Sequence, residues 1–179
     1  MKCLLPIVLL AACSDSSSMT TVDAPGANAD AYDTAACLIE GDYGDAGSLT
    51  GMAGTAQGAT TVTITLDAGP PRDTFFIRMV PGNGVFAGGI APGTYTISGT
   101  DADYNNCGLC VHIIADIVSG QGPTKFYFAD AGTVTLTSTT PPIAGSVQDL
   151  HFNEIDIGSG APVSGGCEAS MTSASFTAP

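Results

Sequence analysis

The 179-residue chain is 44% hydrophobic and only 12% charged, with 23 glycines, 11 prolines, no tryptophan and a formal net charge of −13. Four basic side chains against seventeen acidic ones exclude nucleic acid as a partner and polybasic docking onto anionic lipid, both of which need clustered Lys and Arg. The apolar fraction excludes a wholly disordered chain, and the length is that of one ordinary domain.

The chain opens with Lys2, an apolar run from Cys3 to Ala12 interrupted by Pro6, and the small-residue exit Leu10-Ala11-Ala12-Cys13. That run is too short to span a bilayer as a helix, which needs about 20 residues. A charged start, a short apolar core and a small-residue exit predict a secretory leader over residues 1–12. The exit resembles the lipobox of bacterial lipoproteins. The resemblance implies that Cys13 becomes the mature N-terminus, carrying thioether-linked diacylglycerol and usually a third chain such as palmitate. Ser14, where an inner-membrane lipoprotein has Asp, implies an outer-membrane address. At about 0.8 kcal/mol per buried methylene, two or three chains anchor durably. Residues 13–34, with Ser14 to Ser18 and Asp23-Ala24-Pro25-Gly26, show no apolar period and read as a disordered acidic linker behind the lipidated cysteine.

Residues 35–179 read as one all-β domain. Val62, Ile64 and Leu66 alternate with Thr61, Thr63 and Thr65. The same two-residue period runs through Tyr95 and Ile97, through Val111, Ile113, Ala115 and Ile117, and through Val134 and Leu136. Residues 74–80 and 125–129 are aromatic-rich, β-favouring runs. Gly69-Pro70-Pro71, Pro81-Gly82-Asn83-Gly84, Gly120-Gln121-Gly122-Pro123 and Pro141-Pro142 separate them as turns. Short strands with turn-rich spacing predict an antiparallel β-sandwich or jelly roll, with a β-barrel as the alternative. Leu150 and Phe152 differ in parity from Ile155 and Ile157, so a bulge or bend is expected near Asn153-Glu154.

Six cysteines are present. With Cys3 leaving in the leader and Cys13 carrying lipid, four remain, and the favoured pairing is Cys107 with Cys110 and Cys37 with Cys167. The second bridge closes a loop of about 130 residues, nominally ~4–5 kcal/mol in the chain-entropy account. Cys107-Gly108-Leu109-Cys110 also admits thiol redox chemistry. It precedes a β-branched, strand-like run, however, and not the helix whose dipole would activate a thiol. Zinc on Cys107, Cys110, His112 and His151 lacks a second ligand pair of standard spacing.

Asp101, Asp103 and Asn105 place oxygens at alternate positions, as calcium loops do, although Asn106 and His112 break the EF-hand pattern. They are weak calcium candidates, and no other cofactor is indicated. Glu154 and Asp156 lie on one face and could pair for acid–base work, with a solvated acidic face as the plainer account. His112 and Asp116 are about 13 Å apart along a strand and cannot form a catalytic pair by themselves. No catalytic residue is assigned.

The turn-rich opening Gly41-Asp42-Tyr43-Gly44-Asp45-Ala46-Gly47 and the closing Gly165-Gly166-Cys167, taken with the lipobox and linker, resemble uncharacterised envelope lipoproteins of myxobacterial type. The resemblance transfers no activity. The sequence therefore predicts a lipid-anchored cell-envelope protein, held to the outer membrane by its N-terminal lipid, whose domain is a non-enzymatic binding or assembly module. Its protein or glycan partner is left open. The alternatives are an envelope thiol oxidoreductase or hydrolase, using the Cys107/Cys110 turn or the strand from His151 to Asp156, and a calcium-stabilised adhesion module.

Overall fold

The structure, a computed structural model, describes residues 42–66, 72–120 and 122–179. The predicted leader and linker, with Cys13 and Cys37, lie outside the described residues. Among the described residues there are nine strands: β1 (Asp45–Thr50), β2 (Met52–Ala56), β3 (Ala59–Thr65), β4 (Arg72–Met79), β5 (Gly93–Thr96), β6 (Leu109–Ile117), β7 (Lys125–Ser138), β8 (Ile143–Glu154) and β9 (Glu168–Ala178). Short 3-10 turns occupy Gly84–Phe86 and Gly99–Ala102. Among the described residues no helix is long and apolar enough to cross a membrane.

The predicted all-β fold is the one observed. Its strands form one hydrogen-bonded sheet in the order β1-β9-β8-β7-β6-β4-β3-β2, with β5 added on β7. The sheet is mixed, because β1 runs parallel to β9, and it curls into a half-barrel. One continuous sheet thus takes the place of the two facing antiparallel sheets of a sandwich.

The two ends of that order are consecutive in the chain. Segment 45–56 pairs with β9 through its first half and with β3 through its second. Gly51 is the corner between them. Its N–H donates to Thr177 O at 2.9 Å, and the Ala53 N–H donates to Pro179 O at 3.3 Å. A Cβ on Gly51 would lie 2.6 Å from Thr63 O, so the corner admits no side chain. The β2–β3 hairpin turns on Gln57-Gly58, both with positive φ as the two-residue type I′ turn requires.

The curl is written in the burial pattern of the three longest strands. β7 buries Tyr127 and Ala129, then Val134 and Leu136. β8 buries Ile143 and Val147, then Leu150 and Phe152. β9 buries Ala169 and Met171, then Ala174, Phe176 and Ala178. Odd changes to even, or to the reverse face, in every case. Side chains of a flat strand alternate strictly, so the change of phase marks a bend that turns both halves toward one interior. All these residues belong to a single core cluster with Val62, Ile64, Phe75, Ile77, Val111 and Ile113. The changes lie side by side, since Gln148 pairs with both Thr133 and Ser173.

Two unusual backbones mark this line: Gly132 at φ 121° and Asp149 at φ 50°, where the β7–β8 register slips. The bulge of β8 is therefore at Asp149, and near Asn153-Glu154 the chain bends without one. β8 ends at Glu154, and Ile155 turns to a second cluster on the opposite face, with Cys107, Cys110 and Phe128.

At the end of the sheet where β1 begins, the Tyr43 hydroxyl donates to Asp73 Oδ2 at 2.8 Å, and Asp73 Oδ1 accepts the Asp116 N–H at 3.0 Å. Burial and the adjacent Asp73 push the Tyr43 phenol pKa strongly up, so it remains a donor at any physiological pH.

Gly132 tests the bend. A Cβ there would meet Leu150 Cδ2 at 2.7 Å and Asp149 O at 2.8 Å, in a backbone conformation that L side chains rarely adopt. Gly132→Ala is expected to lower unfolding free energy by about 2 kcal/mol or more, read as a fall in the urea midpoint. A midpoint equal to wild type would show that the bend does not depend on this residue.

Candidate functional site

The 99–110 region is organised by a carboxylate. Asp101 is only 3% exposed. Its Oδ1 accepts the Gly108 N–H at 2.8 Å and the Leu109 N–H at 2.7 Å, while Oδ2 accepts the Val85 N–H at 3.0 Å. Charge-assisted bonds of this kind are each worth about 1.5–3 kcal/mol. They join the 3-10 turn at Gly84–Phe86 to the start of β6. Asp103 Oδ1 accepts the Asn105 N–H at 3.0 Å, and its Oδ2 accepts Asn106 Nδ2 at 2.6 Å. The Asn106 and Asn105 bonds together hold the Asp103 carboxyl below its ordinary pKa. Asn105 Nδ2 donates to Ser159 O at 3.0 Å. The three calcium candidates are thus engaged in holding loops, and Asp101 faces inward onto amides and not toward a cation.

Cys107 and Cys110 are joined to each other, 4% and 2% exposed, against Phe128 and Ile155. With their sulfurs bonded together, neither supplies a thiolate to zinc. Cys167 is also disulfide-bonded. Cys37, its expected partner, lies outside the described residues.

Each histidine has a separate role. His112 packs on Phe76, ring centroids 4.7 Å apart, and its buried Nδ1 has no hydrogen-bond partner among the described residues. Burial, and then Arg78, push its pKa down to about 4. His151 is bracketed by carboxylates. Nδ1 lies 2.7 Å from Asp130 Oδ1, and Nε2 lies 3.6 Å from Glu168 Oε2. The Asp130 hydrogen bond, reinforced by the charge of both acids, raises its pKa against the opposing effect of burial. Asn153 Nδ2 completes the group, donating to Asp130 Oδ2 at 2.6 Å.

Ser170 is directly across from His151 on β9. Its hydroxyl donates to Asp42 Oδ1 at 3.4 Å, while His151 Nε2 faces Glu168. Hydroxyl and imidazole are therefore engaged by different carboxylates, which is not the contact a nucleophile and its base share. Glu154 Oε2 accepts the Cys167 N–H, and Asp156 Oδ1 accepts both the N–H and the hydroxyl of Ser159. These Ser159 bonds lower the Asp156 pKa. The supposed carboxylate pair is thus divided between two loops.

Asp130 and Asn153 line a cleft of about 190 Å³ between residues 102–104 and 155–162, walled by Tyr104, Phe128, Ile155 and Pro162. Tyr104 and Phe128 meet edge to face, centroids 5.5 Å apart. A broader depression of about 580 Å³ over Asn83, Thr100 and Asn106 is lined by glycines and polar residues alone. Sequence reasoning found His151 but neither Asp130 nor Glu168, which are far from it in the chain and join it only through strand pairing. No family model matches the chain, and no curated protein or solved structure is similar to it.

His112 supplies a pH test. The unfolded chain takes up a proton near the ordinary value of 6.5, whereas the folded ring resists protonation until about 4. Folded stability is therefore lost as pH falls through that interval. His112→Phe is expected to raise the urea midpoint more at about pH 5 than at about pH 7.5, because the substituted ring carries neither the proton nor the unpaired nitrogen. An equal effect at both pH values would contradict a buried neutral imidazole.

Proposed function

We propose that the chain is an exported lipoprotein, tethered through Cys13 to the outer membrane, whose β-domain is a non-enzymatic binding module of the cell envelope. The observation that carries this reading is the buried Cys107–Cys110 disulfide. Structural disulfides persist in oxidising compartments and are rare in the cytosol, so the bond supports export independently of the leader. Burial of both sulfurs also disfavours the thiol oxidoreductase alternative, since exchange requires a thiolate to reach one of them.

The hydrolase alternative draws on the row Ser170, His151 and Asp130 across adjacent strands, and is weakened by the carboxylates that engage the hydroxyl and the imidazole separately. The calcium-stabilised module loses support from the hydrogen bonds that occupy Asp101 and Asp103. For Cys167, elimination favours Cys37. Cys107 and Cys110 are paired, Cys3 departs with the leader, and Cys13 carries lipid in this reading.

Intact mass of the native chain, with a non-reducing peptide map, tests the reading. Expected are loss of residues 1–12, acyl mass on Cys13, recovery in the membrane fraction and a Cys37–Cys167 crosslinked peptide. Cys13→Ala is expected to abolish both acylation and membrane recovery. A wild-type chain that keeps its leader, stays in the cytosol and carries reduced thiols would overturn the proposal. A cleaved but unacylated chain would leave export standing and remove the anchor.

A further inference from the structure

The cleft beside Asp130 combines three features. Its apolar walls converge from separate parts of the chain: Tyr104 before β6, Phe128 on β7, and Ile155 and Pro162 after β8. Those walls are held in place, because Asn105 Nδ2 bonds Ser159 O across the gap and the Cys107–Cys110 bridge packs with Phe128 and Ile155. The third feature is its charge. Asp103 and Asp130 are both in the lining, with neither Lys nor Arg among the described lining residues.

We propose that this cleft binds a small organic cation, an amine or quaternary ammonium, with its charge at the Asp130 carboxylate and its apolar body against Tyr104, Phe128 and Pro162. The proposal rests on reading the domain as a binding module, but not on the lipid anchor. A cleft of about 190 Å³ suits a ligand smaller than the drug-sized molecules that fill typical pockets. Aromatic faces attract organic cations through their quadrupoles, the more strongly as water is excluded. The net charge of −13 favours approach of cations over anions. A neutral sugar could also use an aromatic and an amide, but it would bring no charge to the two carboxylates of the lining.

The geometry links binding to a proton. Asp130 already receives His151 on Oδ1 and Asn153 on Oδ2. Protonated His151 neutralises Asp130, and on its other side it meets Glu168 of β9. The remaining acid of the cleft, Asp103, lies in its own turn, where the groups that donate to it, the Asn105 N–H and the Asn106 amide, are uncharged. A bound ammonium and the His151 proton therefore compete for one carboxylate. Cation affinity rises as His151 loses its proton, and binding below that range expels the proton.

Calorimetry and saturation-transfer NMR on the full chain test this with four probes: choline, butylammonium, the uncharged carbon isostere of choline, and glucose. The two cations are expected to bind saturably, with the isostere weaker by about tenfold or more. Choline affinity is expected to rise from about pH 6 to about pH 8 as imidazolium gives way to imidazole. Asp130→Asn should weaken choline by about tenfold, Tyr104→Leu should weaken it less, and His151→Gln should flatten the pH profile. Circular dichroism and the retained Cys107–Cys110 bond check folding. If Asp130→Asn fails to fold, the wild-type isostere comparison and pH profile decide. Equal or tighter binding of the isostere or of glucose overturns the proposal, as does choline binding insensitive to pH and to Asp130. Membrane recovery is read separately, so an anchored chain that ignores amines loses this proposal and keeps its export. A soluble chain that binds them loses only the anchor.

Discussion

The change of side-chain phase across β7, β8 and β9 is the constraint from which the rest of the structure follows. A strand offers alternate residues to opposite faces, and these three would divide their apolar residues between interior and solvent if they ran straight. Gly132 and Asp149, both at positive φ, reverse the phase in the middle of the sheet and return Val134, Leu136, Leu150 and Phe152 to one core. The same line sets the outer surface. Asp130 and His151 lie beside it, and the β7–β8 register slips on either side of Ala131, the partner of His151. A bulge that re-aims a strand thus also brings an acid and an imidazole from separate strands within hydrogen-bonding distance, a common position for bulges relative to sites.

Stretches of unbroken alternation were legible in the sequence. Val62 and Ile64 of β3, and Val111, Ile113 and Ala115 of β6, are buried as their period predicts. Where the phase reverses, reading by alternation failed. β7 reads as two strands because Asp130-Ala131-Gly132 interrupts its apolar period, yet the chain runs through as fourteen continuous residues. β9 escapes notice because its buried positions are mostly small, Ala169, Ala174 and Ala178, and because its parity shifts after Met171. β1 and β2 look like turns from Gly44, Gly47, Gly51 and Gly54, since no local pattern shows that β1 will find β9 far along the chain or that β2 will form a hairpin with β3. The expected sandwich and the observed curled sheet share their local signals. They differ in which strands are hydrogen-bonded, and alternation is silent on that.

The site followed the same division. Cys107 and Cys110 were legible as a pair because, three residues apart with Asn and Gly beside them, they come within reach once the chain turns locally, as it does with their Cα atoms 5.3 Å apart. Asp101, Asp103 and Asn105 were legible as a cluster of hard oxygens, but not in their use. A carboxylate that could hold calcium can equally accept backbone N–H groups, and only the approach of Val85, Gly108 and Leu109 to Asp101 decides between the two. Asp130, His151 and Glu168 have no sequence signature, because their association depends on the register of three strands.

The acidic composition is itself better explained by the fold than by solvation of a charged face. With four basic side chains in the whole sequence, ion pairing can satisfy few of the seventeen acids. The carboxylates turn to amides and hydroxyls. Asp42 accepts the Gly44 N–H, Asp45 the Gly47 N–H, Asp73 the Asp116 N–H, Glu154 the Cys167 N–H and Asp156 the Ser159 N–H. Each bond closes a short turn, ties a loop to a strand or, between Asp73 of β4 and Asp116 of β6, joins two strands, and at the turns this is the local chemistry for which Asp is favoured. A sheet that bends this sharply needs many tight connections, and carboxylates supply them without the bulk and rotamer freedom of long basic side chains. The charge left uncompensated by this arrangement gives the outer surface its sign, and within the Tyr104–Asp130 cleft it faces aromatic walls with no basic residue among them.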